Sequence, residues 1–117
     1  FIVDDNVDSA KTLAVLLELW GHEVRIAHDG ESALEAILAF EPQVVLLDLE
    51  MQGMNGYQVA RRLRESGLEG VELVALTGYG QEEDRRKSAE AGFDIHVVKP
   101  VEPAVLKRLV AGKREAV

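Results

Sequence analysis

Polar side chains follow four apolar stretches of this sequence, at the point where each stretch ends. They are the pair Asp4 and Asp5, then Asp48, Thr77 and Lys99. If the stretches are parallel strands, these residues meet at the carboxyl edge of one sheet, where ligands bind in open α/β folds. Three crowded carboxylates repel one another unless a cation neutralises them, and oxygen ligands that leave room for water favour Mg²⁺. The sequence therefore predicts a magnesium site.

The same residue types indicate what such a site could do. Asp48 follows the most continuously apolar stretch and would lie centrally, where its carboxylate could attack an activated phosphorus and form an aspartyl phosphate. Lys99 would offset charge on the transferred oxygens, and the hydroxyl of Thr77 could donate to one of them. Gly78 leaves the neighbouring backbone open to that approach. We interpret the set as a phosphoryl-transfer site.

Each residue also has an ordinary structural explanation. The two N-terminal aspartates could cap the first helix, Asp48 could begin a loop, Thr77 could cap a turn and Lys99 could face solvent. Their joint placement at strand ends favours a site over a series of coincidences. Of the predicted strands, only the one that ends near Ala27 lacks such a group.

Strands and helices alternate from end to end of the predicted fold. Apolar runs predict strands at residues 1–3, 23–27, 44–47, 73–76 and 95–98. Amphipathic spacing predicts a helix after each strand, with Asp29 as the N-cap of the second and Pro103 opening the fifth. Strict alternation implies a parallel sheet covered on both faces. The fourth helix, at about residues 81–91, has only alanines as apolar residues, so we expect it to be the most loosely packed.

Length and composition predict a single domain, residues 1–117, and limit the classes of partner that it could bind. The 13 basic and 21 acidic residues give a net charge of −8, and the basic cluster at residues 85–87 directly follows acidic residues, so direct nucleic-acid binding is not expected. The absence of cysteine excludes disulfides and is compatible with the cytoplasm. No apolar run is long enough to cross a membrane. Because the chain begins inside its first strand without methionine, we expect it to be a piece of a longer protein.

The motifs of this chain resemble those of the receiver domains of two-component response regulators, over essentially its whole length. The resemblance rests on the segments Asp4-Asp5-Asn6, the apolar run into Asp48, Gly53-Met54-Asn55-Gly56-Tyr57, Leu76-Thr77-Gly78 and Val98-Lys99-Pro100. It implies a flavodoxin-like, doubly wound α/β fold with five parallel strands in the order 2-1-3-4-5 and five helices.

The resemblance also implies a reaction. Asp48 would accept a phosphoryl group from a phosphohistidine on a histidine kinase or a histidine phosphotransfer protein, and the domain would have no other enzymatic activity. Asp5 and Asp48 would ligate Mg²⁺ directly, Asp4 would act through water, and the backbone carbonyl of Glu50 would add a ligand. Gln52 stands where the family commonly has proline.

For the output, the resemblance implies a conformational switch. Thr77 and Lys99 would bind the phosphoryl oxygens, and movement of Thr77 would be coupled to His96 and to the face formed by the fourth helix, fifth strand and fifth helix. His96 replaces the usual tyrosine or phenylalanine, so it could add pH sensitivity or be an ordinary half-buried strand residue. Glu50 and Tyr79 occupy positions that tune the lifetime of the phosphoryl group. An effector or kinase domain in a longer chain would carry the response.

Other protein classes compete with this interpretation. An aspartate-nucleophile phosphatase of the haloacid dehalogenase type needs an acid–base residue two places after its nucleophile, where this chain has only the longer Glu50 and no following threonine. A receiver-like module that binds partners without phosphorylation would keep the fold and lose the chemistry. A flavin-binding flavodoxin is disfavoured because Asp4 and Asp5 in the first loop would repel the flavin phosphate.

Overall fold

A five-stranded parallel sheet forms the centre of the described part of the chain. The structure, a computed structural model, describes residues 1–68, 70–78 and 82–111, with the backbone alone at residues 82–84. The strands are β1 (Ile2–Val3), β2 (Ile26–Ala27), β3 (Val44–Asp48), β4 (Glu72–Thr77) and β5 (Ile95–Val98). The helices are α1 (Val7–Leu19), α2 (Gly30–Phe40), α3 (Gly56–Glu65), α4 (Glu82–Ala91) and α5 (Pro103–Leu109). The predicted alternation is confirmed.

The strand order is β2-β1-β3-β4-β5, as the resemblance implied. After β1 the chain moves outward to β2 and then crosses to the other side of β1, where β3 pairs with it in register Ile2 to Leu46. This change of direction leaves a crevice outside the carboxyl ends of β1 and β3, the place where open α/β sheets bind ligands. The two N-terminal aspartates follow β1 there, and Asp48 is the last residue of β3.

The sheet separates two apolar cores, because alternate residues of a strand point to opposite faces. Val45 and Leu47 of β3 pack in the core under α2 and α3, whereas Leu46 packs in the core under α1 and α5. All five residues of β3 are buried, which confirms the prediction of a central strand covered on both sides. None of the helices in the described ranges is long and apolar enough to cross a membrane.

Side-chain caps fix the helices that start beside the crevice. Asn6 caps α1 by accepting from the Ser9 N–H, and Asp29 caps α2 as predicted. Asn55 begins α3 in a capping box in which its amide oxygen and the side chain of Gln58 each accept a backbone N–H of the other. The cap of the first helix is therefore Asn6, and the two aspartates before it are left for another role.

The observed elements differ from the predicted ones mainly at their ends. The second strand is only Ile26–Ala27, because its one neighbour, β1, is itself only two residues long. The fourth strand is longer than expected and includes Thr77. Among the described side chains of α4, only Ser88 and Ala91 are buried, in keeping with the light packing expected of this helix. How easily α4 moves stays a prediction.

Candidate functional site

Three carboxylates meet at the crevice between β1 and β3. Asp4, Asp5 and Asp48 each offer an oxygen, and these oxygens all lie within 4.8 Å of one another. Asp4 and Asp48 are buried, whereas Asp5 is exposed. The structure therefore brings together the acidic residues that the sequence analysis selected, with one of them open to solvent.

Asp48 is buried, with only 3% of its surface exposed, and both of its carboxylate oxygens contact protein groups. Its Oδ1 accepts the backbone N–H of Glu50 at 2.9 Å, and its Oδ2 lies 3.0 Å from the Nζ of Lys99. The charge-assisted contact and the backbone donor together fix the orientation of the carboxylate.

The Asp48 end of β3 is also held by the start of α3. A Cβ at Gly56 would lie 2.6 Å from the carbonyl oxygen of Asp48 and 2.8 Å from the Cα of Leu49. Because such distances are shorter than real contacts, only glycine permits this close approach of helix to strand. The close packing of Gly56 against β3 thus fixes the backbone at Asp48.

Asp4 is the least satisfied member of the cluster. Its Oδ1 accepts the Asn6 N–H at 2.9 Å, but its buried Oδ2 has no hydrogen-bond partner and lies 3.8 Å from the Nζ of Lys99. Burial raises the pKa of Asp4, and the neighbouring Asp48 raises it further, while Asn6 and Lys99 act in the opposite direction. Asp4 is therefore a buried carboxylate with one oxygen that no protein group hydrogen-bonds. A bound cation could neutralise its charge.

Asp5 contacts the loop after β3. Its Oδ2 lies 3.4 Å from the backbone N–H of Gln52, which donates to it. A proline at position 52 has no N–H and could not make this contact. The departure from the family pattern at this position thus adds a tie between the first loop and the loop that follows Asp48.

Thr77 and Lys99 lie at the ends of β4 and β5 and are joined through the backbone. The Lys99 N–H donates to the Thr77 carbonyl oxygen at 2.7 Å, and Thr77 is in register with Val98. The peptide bond between Lys99 and Pro100 is cis. Both side chains therefore reach the crevice from the half of the sheet opposite the N-terminal aspartates.

The side chain of Glu50 makes contacts that the sequence analysis did not predict. Its Oε1 accepts the Gly78 N–H at 2.9 Å and lies 3.4 Å from the hydroxyl oxygen of Thr77. Only its backbone carbonyl and a general effect on phosphoryl lifetime were expected of Glu50. Its partner in that expectation, Tyr79, lies outside the described residues.

His28 is a polar residue at the end of the strand near Ala27 that the sequence analysis did not select. It directly follows β2, and its Nδ1 lies 2.9 Å from the carbonyl oxygen of Asp4. Because a carbonyl oxygen only accepts, Nδ1 carries the proton in this contact. The position of His28 directly after a predicted strand could have indicated a role at this edge of the sheet, but the histidines of the sequence do not have a metal-binding spacing.

His96 lies on β5 away from the strand tip and is not part of the acidic cluster. It is in register with Ala75 and half-buried, and its Nδ1 lies 3.0 Å from the hydroxyl oxygen of Ser88 on α4. Ser88 is almost fully buried. The contact joins β5 to α4, the helix that buries few of its described side chains.

The donor set fits a small divalent cation. Three carboxylates with oxygens close together, one of them orphaned and one of them open to solvent, match the oxygen ligands that Mg²⁺ prefers together with water. The cluster could therefore hold a metal ion. Met51 and Met54, in the loop after β3, pack with the core under α2 and α3.

Proteins of related sequence include response regulators. The chain is 36% identical over 110 residues to a protein of Leptolyngbya boryana described as an uncharacterized 14.6 kDa protein, covering 93% of this chain and 84% of that one. It is 39% identical over 113 residues to the DNA-binding response regulator MtrA of Mycolicibacterium smegmatis, covering 97% of this chain and 47% of MtrA. The chain thus spans about half the length of this DNA-binding relative.

Solved structures and a family model agree with these relatives. The receiver domain of NtrX from Brucella abortus is 30% identical, with a TM-score of 0.86 and coverage of 99% of this chain and 98% of that one. The chemotaxis protein CheY4 of Vibrio cholerae, at 24% identity and a TM-score of 0.87 over 93% and 92% of the chains, shares the fold. The family model for the response regulator receiver domain matches residues 1–111. This chain belongs to the response regulator receiver domain family.

Proposed function

We propose that this domain takes a phosphoryl group from a phosphohistidine onto Asp48. The observation that carries the proposal is the state of that carboxylate, which is buried at the end of the central strand with its oxygens held by the Glu50 N–H and the Lys99 ammonium group. A carboxylate fixed in this way is a positioned nucleophile. Membership of the receiver family, whose members are signalling modules, supports the same conclusion.

The proposal includes a bound Mg²⁺. Asp5 and Asp48 would ligate it directly, Asp4 would act through water, and the Glu50 carbonyl would complete the protein ligands. The orphaned oxygen of Asp4 and the clustering of the three carboxylates support this set. When bound, the ion supplies positive charge that offsets the carboxylates and the phosphoryl oxygens.

The residues of the chain have distinct parts in the transfer. An Asp48 oxygen attacks the phosphorus, and the bond from phosphorus to the donor imidazole nitrogen breaks. Lys99, which pairs with Asp48 at 3.0 Å, would pair with a phosphoryl oxygen attached there. The hydroxyl of Thr77 and the N–H of Gly78, at the end of the neighbouring strand, would donate to the other oxygens. Donors at these positions would stabilise the negative charge on the transferred oxygens.

For the output, we propose that the face formed by α4, β5 and α5 changes when Thr77 turns toward the phosphoryl group. His96 is the candidate intermediary because it lies on β5 and contacts Ser88 of α4. A new rotamer of His96 would alter that contact, and few of the described side chains of α4 are buried to resist its movement.

The partners in this proposal are a phosphohistidine donor and an output domain. The donor is a histidine kinase or a histidine phosphotransfer protein. An effector or kinase domain in a longer chain would receive the signal, as the DNA-binding name of MtrA suggests for that relative. With a net charge of −8, this domain itself would not contact DNA.

The test is phosphorylation by a small donor. The domain is incubated with acetyl phosphate and MgCl₂, and intact mass spectrometry counts phosphoryl groups. We expect one adduct that survives acid and is lost in base. Asp48→Asn should abolish it, and Asp5→Asn should reduce it through weaker metal binding. Asp8→Asn, which changes an exposed aspartate outside the cluster, is the matched control and should leave the adduct in place.

Three outcomes would overturn the proposal. An adduct that persists in Asp48→Asn would place the chemistry on another residue. Steady release of phosphate from many organic monoesters would instead assign the chain to the aspartate-nucleophile phosphatases. The absence of any adduct, with acetyl phosphate and with a phosphohistidine donor, would assign it to the modules that bind partners without phosphorylation.

A further inference from the structure

The carboxylate of Glu50 occupies the two donors at the end of β4. Its Oε1 accepts the Gly78 N–H at 2.9 Å and lies 3.4 Å from the Thr77 hydroxyl oxygen. A carboxylate oxygen bound by a backbone N–H and a hydroxyl is chemically similar to a phosphoryl oxygen bound by the same groups, since both are anionic acceptors. The chain therefore presents an anion of its own to these donors.

These donors lie directly beside Asp48. In the sheet Asp48 is in register with Leu76, and the Leu49 N–H donates to the Leu76 carbonyl oxygen at 3.0 Å. Thr77 and Gly78 are the next residues along β4 and its loop. They are also the groups to which the proposed function assigns phosphoryl oxygens, so the present inference rests on that proposal.

We propose that Glu50 is an internal competitor for the phosphoryl group. Its carboxylate holds Thr77 and Gly78 in the unphosphorylated domain and must leave them when Asp48 is phosphorylated. A single N–H makes one strong hydrogen bond, and two anions at one pair of donors repel each other. Glu50 therefore slows the loading of Asp48, and it is a positioning residue that acts through Thr77 and Gly78.

The reaction that reports the competition is transfer from acetyl phosphate. An Asp48 oxygen forms a bond to phosphorus, the bond between phosphorus and the acetate oxygen breaks, and acetate leaves with the electron pair. Glu50 takes no part in these bonds. It changes only whether the donors are available to the incoming phosphoryl oxygens, so its removal should alter the rate of loading and leave the site of modification unchanged.

The experiment compares loading rates in Glu50→Ala, Glu50→Gln and the wild type, with acetyl phosphate, MgCl₂ and intact mass as the readout. We expect Glu50→Ala to load about tenfold faster, which corresponds to about 1.4 kcal/mol. Glu50→Gln should be intermediate, because its amide oxygen can still accept from Gly78 but carries no charge. Glu35→Gln removes one charge from an exposed position of α2 and should match the wild type.

A second readout needs no phosphodonor. The amide proton of Gly78 should shift upfield in the NMR spectrum of Glu50→Ala, because it loses a charge-assisted hydrogen bond, and should be unchanged in Glu35→Gln. An unshifted Gly78 amide, or loading of Glu50→Ala on Asp48 at or below the wild-type rate, overturns the competitor role and leaves the phosphoacceptor function standing. The absence of an adduct in every variant overturns the phosphoacceptor function, and the competitor role with it.

Discussion

Replacement of Asp4 by asparagine should make the metal-free domain more stable. Asp4 is fully buried, its Oδ2 has no hydrogen-bond partner, and Lys99 lies closer to Asp48 (3.0 Å) than to Asp4 (3.8 Å). The ammonium group of Lys99 therefore compensates the negative charge of Asp48 more than that of Asp4. In Asp4→Asn the side-chain oxygen can still accept the Asn6 N–H, so the substitution removes the charge and keeps the local hydrogen bond.

The expected gain follows from the burial of a poorly paired polar group. Such burial costs about 1–3 kcal/mol in proteins, and the partial attraction of Lys99 offsets some of it. We expect the free energy of unfolding of Asp4→Asn to exceed that of the wild type by about 1–2 kcal/mol in chelator. Urea unfolding followed by circular dichroism and by the fluorescence of the single tryptophan, Trp20, measures this difference.

Magnesium should narrow or reverse the difference in the free energy of unfolding, and low pH should remove it. At a concentration about 100-fold above its dissociation constant, a ligand of the folded state adds about 2.7 kcal/mol, and the wild type should gain more than the variant because it keeps all three carboxylates. The pKa of Asp4 is raised from its ordinary value of 3.8, so the folded state binds this proton more tightly than the unfolded state does. The destabilisation by the ionised Asp4 carboxylate therefore appears as the pH rises from 3.8 through the raised pKa. Below pH 3.8 the two proteins should converge.

One result would refute this reasoning. If Asp4→Asn is less stable than the wild type in chelator, the attraction between Asp4 and Lys99 outweighs the cost of burial, and the orphaned oxygen is no argument for a cation. Asp8→Asn provides the control for the loss of one negative charge, because Asp8 is exposed. It should change the free energy of unfolding by no more than about 0.5 kcal/mol.

Three further substitutions test the supports of the site. Gly56→Ala would place a Cβ 2.6 Å from the Asp48 carbonyl oxygen, so we expect a loss of about 1–3 kcal/mol in urea unfolding and slower loading of Asp48. Arg64→Met removes hydrogen bonds to the carbonyl oxygens of two residues and to Asp94, and because Asp94 is half-exposed we expect a loss of about 2 kcal/mol in urea unfolding. Asn55→Ala removes the capping box of α3 and should lower the melting temperature, with a loss of about 1 kcal/mol.

These three results can each contradict the structure. Unchanged stability of Gly56→Ala would mean that α3 and β3 are not in close contact. For Arg64, the control is Arg61→Met on the exposed side of α3. Equal effects of the two substitutions would mean that the hydrogen bonds of Arg64 do not contribute to stability. For Asn55, the variant Asn55→Ser keeps a capping oxygen and should recover most of the loss.

The sheet and its acidic cluster were predictable because they depend on patterns that hold along the chain. The buried run Val44–Asp48 has no polar alternation, and a polar residue ends it, so the carboxyl edge of a parallel sheet was the natural place for Asp48. Asp29 was predictable as a cap because only local geometry is involved. Bounds at the edge of the sheet were less predictable, since β2 has a partner on one side only.

The side-chain contacts of Glu50, His28 and Ser88 were not predictable. Each depends on which way a loop or helix residue points after distant parts of the chain have packed, as with Glu50 and Gly78, which are 28 residues apart. Spacing within the sequence carries no information about such a pair. His28 is a similar case, because its partner is a backbone carbonyl and backbone acceptors leave no mark on the sequence.

The position of β3 between β1 and β4 brings polar groups from both halves of the sheet to the end of one buried strand. The carboxylate of Asp48 lies at the end of a strand whose residues are all buried. Two of the clustered carboxylates, Asp4 and Asp5, follow β1, whereas the Thr77 hydroxyl and the Lys99 ammonium group come from the β4 and β5 side. Lys99 joins the two sides, since its ammonium group lies 3.8 Å from Asp4 and 3.0 Å from Asp48, so a substitution on either side would change the electrostatic balance of the other.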